Sequence, residues 1–234
     1  MNAVTRDVGV VIVAAGASTR IATPAAELKQ FRWVSGKPML LHSLQAFQAR
    51  EDVAMVVCVL PRESVGDPPP WIFQCDTERL LLSVGGNARS ESVRSGLDDL
   101  PPECRIVLVH DAARPLATAG MIERVVREAR QGHGAIAALP VVDTLKEVNG
   151  DGRIIRTVDR ASLWRAQTPQ GFPRAMIEQA HREADSSAVS ATDDAALCER
   201  LGLPVVVVRG SERALKITEE ADFARAESLF ALPE

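Results

Sequence analysis

The sequence predicts an α/β protein: a mostly parallel, twisted sheet flanked by helices, with a β-hairpin arm protruding from it. Three observations carry this. Apolar runs rich in Val, Ile and Leu recur along the 234 residues without the alternation of half-exposed strands, which is the pattern of strands buried on both faces. Between the runs lie stretches with helical spacing of apolar residues, and strand and helix alternate this regularly where right-handed crossovers build a parallel sheet. Finally, three small-residue polar segments, AAGASTR, GGNARSES and HDAARP, each follow directly on a strand-like run, and ligands of open parallel sheets collect beyond the strand ends.

The first strand, residues 8–13, ends in Ala14, Ala15, Gly16, Ala17 and Ser18, small enough for a ligand to approach the backbone, with Arg20 and Lys29 following. Oriented amides and fixed cations suit a polyphosphate; the plainer alternative is a strand-to-helix turn with a surface Arg and Lys. A helix begins near Pro38 and turns Leu40, Leu41, Leu44 and Phe47 inward. Residues 53–60 form the second strand. The three prolines at 68–70 exclude helix, so residues 61–76 are expected as an irregular surface excursion. The third strand, 79–84, breaks at Gly85-Gly86, and a helix from Arg89 buries Val93, Leu97 and Leu100. The fourth, 105–109, runs into His110-Asp111-Ala112-Ala113-Arg114-Pro115. Thr118 caps a helix with Met121, Ile122, Val125 and Val126 inward, before a fifth strand at 135–139.

The rhythm then changes. Residues 141–160 hold two β-like runs around Asn149-Gly150-Asp151-Gly152, a hairpin signal. Because a lone hairpin is marginal in water, the expectation is a dimerisation arm packed on a second subunit of a single domain spanning 1–234. Helices at 173–184 and 192–201, a strand at 204–208 and a closing helix from Thr218, with Glu219 and Glu220 in its first turn, complete the chain.

A net charge of −4 supplies no overall basic field for nucleic acid. No apolar run reaches membrane-spanning length, and the first residues lack the apolar core of a signal peptide, which sets the expectation of a cytoplasmic protein without membrane association. Cys58, Cys75, Cys104 and Cys198 show no CxxC spacing and are expected as buried thiols. A dehydrogenase is disfavoured because Gly16 opens no GxGxxG, and a Walker loop is absent. What remains is a nucleotide site that meets a triphosphate with Arg and Lys. Within it, Gly85-Gly86 either recognises base and ribose or enters a helix capped by Ser90 or Ser92. Asp111 either caps a turn or holds a hydrated divalent ion, with Arg114 as a candidate ion-pair partner. His110 is expected to be structural.

The runs AAGASTR…LKQF, GGNARSESV, VHDAARP, DTLK, VDR before a Trp, QTPQGF, TDDAAL and LKIT, in this order along nearly the whole chain, resemble the 2-C-methyl-D-erythritol 4-phosphate cytidylyltransferases of non-mevalonate isoprenoid biosynthesis. The resemblance implies a Rossmann-like nucleotidyltransferase fold, the substrates CTP and 2-C-methyl-D-erythritol 4-phosphate, Mg²⁺, and a homodimer. It implies that Ala14, Ala15, Gly16 and Ser18 line the triphosphate and that Arg20 and Lys29 stabilise the α-phosphorus. Gly85, Gly86, Arg89 and Ser92 fall in the cytosine and ribose loop. Asp111, beside Ala112, serves metal or ribose. Thr144, Arg160, Thr168 and Thr192 match positions that hold methylerythritol phosphate, with Arg160 and Lys216 setting its line of attack, and Thr144 and Arg160 reach the partner's site through the arm.

The opening loop departs from the family pattern. Ser18 stands in place of a second glycine, Ile21 in place of Met, and Leu28 in place of the Pro before the lysine, within a longer Arg20 to Lys29 span. Slower turnover, or a loop that orders only on nucleotide binding, is the expected consequence. Two other functions fit less well: a ribitol 5-phosphate cytidylyltransferase, against which DTLK, VDR and AAR after Asp111 weigh, and a non-catalytic nucleotide-binding regulator.

Overall fold

The computed structural model describes residues 4–16, 28–186 and 191–232. Its centre is a seven-stranded sheet in the order β11-β7-β10-β6-β1-β4-β5. The strands are β1 (Val8–Val13), β4 (Val53–Leu60), β5 (Leu80–Val84), β6 (Ile106–Asp111), β7 (Gly134–Pro140), β10 (Trp164–Pro173) and β11 (Val205–Arg209). Short pairs complete the set: β2 (Trp33–Val34) with β3 (Lys37–Pro38), and β8 (Leu145–Val148) with β9 (Ile154–Val158). Helices α1 (Met39–Gln48), α2 (Arg62–Gly66), α3 (Arg89–Asp98), α4 (Ala119–Arg130), α5 (Arg174–Ser186), α6 (Asp194–Arg200) and α7 (Glu220–Phe230) flank them.

All neighbouring strands of the large sheet run parallel except where β10 pairs antiparallel with both β6 and β7. From β1 the chain builds β4 and β5 to one side and then crosses back to place β6 on the other. Strand order therefore reverses at β1 and β6, whose carboxyl ends open the crevice where ligands of such sheets bind. Two buried layers cover the faces: Leu40, Leu44, Phe47, Met121 and Val125 on one, and Val93, Leu97, Phe172, Ile177 and Leu197 on the other. Val10, Val11 and Ile12 are fully buried, consistent with the unbroken apolar run of β1.

The local signals behave as their chemistry requires. Thr118 Oγ1 accepts from the Met121 N–H at 3.3 Å to start α4. The hairpin loop closes through Asn149, whose Oδ1 accepts from the Asp151 and Arg153 amides at 3.1 and 2.9 Å, while Gly152 takes a φ of +77° that L side chains rarely adopt. In α7 the Asp222 carboxylate accepts the Thr218 and Glu219 amides at 2.8 and 2.9 Å. All four cysteines are free and buried, and burial pushes the Cys75 and Cys104 thiols up to about 11.

Four expectations are corrected. Residues 164–173, read only as motif, form the longest strand; a register shift between Ala166 and Gln170 lets Gln167 to Pro169 leave the regular ladder. Helix α6 begins at Asp194 and not at 192, because Asp193 caps it, its side chain accepting from the Ala196 N–H at 3.0 Å. The prolines do not exclude helix, because Pro70 opens a 3-10 turn, Pro70–Gln74, that buries Ile72 completely. The fourth strand continues through His110 to Asp111, placing that carboxylate at the strand tip.

Candidate active site

A cavity of about 480 Å³ opens at this crevice. Three loops build it. After β1, Val13, Ala14, Ala15 and Gly16 line it, and the Ala14 N–H is fixed to Val59 O at 2.8 Å. After β5 come Gly86, Asn87, Ala88, Arg89 and Ser92; after β6, Asp111, Ala112 and Ala113; Lys29, Gln30 and Lys216 complete the wall.

The β5–α3 loop is shaped by its own side chains. Ser92 Oγ accepts from the Gly86 N–H at 3.2 Å and donates to Ala88 O at 3.1 Å, while Glu91 accepts from the Asn87 amide at 2.7 Å. A methyl at Gly85 would collide with that of Ala15, so the two loops approach this closely only with glycine there.

Charge is concentrated on Asp111. Lys216 Nζ lies 2.7 Å from its Oδ2, and Arg89 Nε 3.4 Å from its Oδ1. Burial alone would raise this carboxyl, but Lys216 and Arg89 more than offset it and hold the group well below the usual carboxylate range, fully ionised at neutral pH. The Asp111 N–H donates to Thr168 Oγ1 at 3.0 Å. Thr168 also bonds His110 Nδ1 at 3.1 Å, and His110 Nε2 lies 3.0 Å from Arg114 O. Because a carbonyl only accepts, Nε2 carries the proton and Nδ1 receives the Thr168 hydroxyl. His110 is therefore structural, and burial lowers its pKa to about 4.

Lys216 lies on a segment strapped to the sheet. Arg114 Nη1 donates to Ala214 O at 2.6 Å, and the Ile217 N–H to Ala113 O at 2.8 Å. Lys29 Nζ donates to Ile217 O at 2.8 Å, and Gln30 Nε2 to Ala14 O. Arg32 extends the clasp, lying 4.0 Å over the Phe223 ring and holding both oxygens of Glu220. Three cations, an ionised carboxylate and a small-residue loop thus face one nucleotide-sized space.

Of the residues singled out from the sequence, Ala14, Ala15, Gly16, Lys29, Gly86, Arg89, Ser92, Asp111, Ala112 and Lys216 line this cavity, with Gly85 directly behind it. Ser18 and Arg20, like Ile21, lie outside the described residues. Thr168 is buried behind the wall, its hydroxyl occupied by Asp111 and His110. Thr192 is exposed just before α6. Thr144 and Arg160 are exposed at the base of the hairpin, where Arg160 donates to Val142 O, and do not line the cavity. Arg114 binds the carbonyls of Ala214 and Ala166; the cations that bridge to Asp111 are Lys216 and Arg89. Val13, Gln30, Asn87, Ala88 and Ala113 were missed as wall residues, although each neighbours a residue already singled out.

A Rossmann-like sheet with this crevice and cation set defines a nucleotidyltransferase. Residues 8–231 match the profile of the family described as IspD: 2-C-methyl-D-erythritol 4-phosphate cytidylyltransferase, and the chain belongs to that family. It is 41% identical over 231 residues to the enzyme of that name from Streptomyces coelicolor, covering 94% of this chain and 84% of the relative. It is 38% identical over 220 residues to the bifunctional enzyme IspD/IspF of Desulfotalea psychrophila, of whose length it spans 55%. The crystal structure of 2-C-methyl-D-erythritol 4-phosphate cytidylyltransferase from Thermus thermophilus superposes with a TM-score of 0.80 at 35% identity, covering 96% of this chain and 98% of that one.

Proposed function

We propose that this chain transfers a cytidylyl group from CTP to 2-C-methyl-D-erythritol 4-phosphate, releasing pyrophosphate. The observation that carries this reading is the gathering of Lys29, Lys216, Arg89 and Asp111 around one cavity whose floor is the small-residue loop after β1. An oxygen of the methylerythritol phosphate attacks the α-phosphorus of CTP, the bond to the bridging α,β oxygen breaks, and pyrophosphate leaves. The attacking phosphate is already an anion, so no side-chain base is needed. Catalysis reduces to positioning and to cations aimed at the charge that builds on phosphorus. A cation about 4 Å from a phosphate charge contributes on the order of 4 kcal/mol at an effective dielectric of 20 before desolvation is subtracted. Lys29 and Lys216 are assigned this role, with Arg20 and Arg160 as further candidates.

Asp111 is the one acidic side chain on the described cavity wall, and no cluster of three acidic, His or Cys groups occurs among the described residues. This donor set suits Mg²⁺, which binds through one or two carboxylates and completes its shell with water and substrate phosphates. Bound there, the ion would neutralise phosphate charge. Thr144, Arg160, Thr168 and Thr192 remain the proposed contacts to the acceptor.

The hairpin supports a homodimer: Val148, Ile154 and Ile155 are 52%, 63% and 59% exposed on a two-stranded ribbon that needs a covered face. A cytoplasmic location is supported by four unpaired thiols, and no helix among the described residues is long and apolar enough to cross a membrane. Pyrophosphate release with CTP and Mg²⁺, measured in parallel with methylerythritol phosphate and ribitol 5-phosphate, tests the reading. Release with the first acceptor is expected. Preference for ribitol 5-phosphate would move the chain to the other acceptor class, and CTP binding without release would make it a regulator.

A further inference from the structure

Behind the cavity a chain of alternating charges leads away from the ligand space. Arg89, the first residue of α3, spends Nη1 on Asp194 Oδ2 at 2.8 Å and Nε on Asp111 at 3.4 Å. Its remaining nitrogen, Nη2, is buried with no hydrogen-bond partner among the described residues. Asp194 is not part of the cavity wall. It is 1% exposed at the first position of α6, and its second oxygen lies 3.0 Å from Nε2 of His181, itself 4% exposed on α5. An ionised carboxylate only accepts, so Nε2 of His181 carries the proton of that bond. The helix start is immobilised from a third side. Gln170 on β10 donates to Asp193 at 2.7 Å and accepts from the Ala195 N–H at 3.1 Å.

We propose that Asp194, seated by His181, is a positioning residue for the nucleotide site: it fixes the guanidinium of Arg89, and through it the Asp111 carboxylate, on the wall that the bound nucleotide meets. This inference rests on the nucleotide occupying the cavity described above. The arrangement also ties α3, which follows the β5 loop, to α6, so two separate elements set one side chain. Asp194 lies off the cavity wall and acts through Arg89.

The test is a double-mutant cycle on Asp194→Asn and Arg89→Met, read by calorimetric CTP binding with Mg²⁺ and by pyrophosphate release. Each single variant is expected to weaken CTP about 10- to 100-fold, the range for a hydrogen bond to a charged group, with a much smaller change in kcat. Adding Asp194→Asn to Arg89→Met should weaken CTP no further. His181→Gln, which keeps a donor where Nε2 stands, should bind CTP as wild type does, whereas His181→Leu should weaken it. If Asp194→Asn does not fold, His181→Leu takes its place in the cycle. Multiplicative losses in the double variant, or unchanged CTP affinity in a folded single variant at Asp194, would overturn the proposal. Because the binding arm contains no acceptor substrate, a wild type that binds CTP but releases no pyrophosphate would refute the transferase reading while leaving the cycle interpretable.

Discussion

Asp111 and Lys216 show how much of the site's electrostatics rests on single side chains. The carboxylate is kept ionised by two cations, and the side chain of one of them, Lys216, is 43% exposed. Lys216→Met should therefore lower kcat by about 10²- to 10³-fold, the scale for losing one transition-state contact, with a thermal midpoint near that of wild type. A midpoint falling in step with activity would argue for a structural role instead. His110 makes a prediction of the opposite kind. Its pKa falls from 6.5 to about 4 on folding, so the folded state prefers the neutral ring. The associated stability is complete above pH 6.5 and is lost as pH drops from 6.5 towards 4, by roughly 3 kcal/mol in all. Urea titrations across that range should show a shallower pH slope for His110→Gln than for wild type, and equal slopes would contradict the assignment. At this scale the sequence was legible where residue type and position coincide: Arg89 and Asp111 stand out as charges just beyond or at strand ends and Lys29 as a cation after the first loop, whereas Lys216 was reached through the resemblance to the family. What the sequence did not show is how Thr168 is held, because its hydroxyl bonds Asp111 and His110, partners contributed by a different strand.

Elements were legible in proportion to how locally they are determined. The β-branched runs of β1 and β4 announce themselves, and Asn149 to Gly152 specify the hairpin turn. Strand β10 was hidden because Pro169 and Gly171 interrupt its apolar pattern, and its antiparallel place between β6 and β7 depends on tertiary pairing. Phe172 shows what that strand contributes: it is wholly buried in the layer with Val107 and Ile177. Phe172→Ala should cost about 3 to 5 kcal/mol in denaturant unfolding, and a loss below about 1 kcal/mol would mean the strand is not packed as described. For the hairpin, Ile154→Asp with Ile155→Asp should convert a dimeric species to monomers in sedimentation equilibrium while leaving the sheet's circular dichroism intact. A dimer that survives both changes would remove the arm from the interface.

In the molecule as a whole, the reversal of strand order at β1 and β6 decides where chemistry can occur. Loops far apart in sequence, after residues 13, 84 and 111, converge there because their strands all end on one edge, and the segment after β11 delivers Lys216 to the same edge. Sequence motifs located those loops, but the clasp of Arg32 on Glu220 and Phe223, and the Asp194 support behind Arg89, emerge only from the tertiary pairing of distant segments. The measurement that bears most directly on this convergence is pyrophosphate release from CTP, Mg²⁺ and methylerythritol phosphate by wild type and Lys29→Ala. Wild type should turn over, and Lys29→Ala should lose at least about 100-fold in kcat with its fold retained. Wild-type turnover by Lys29→Ala would contradict a cavity whose cations stabilise the phosphoryl transfer.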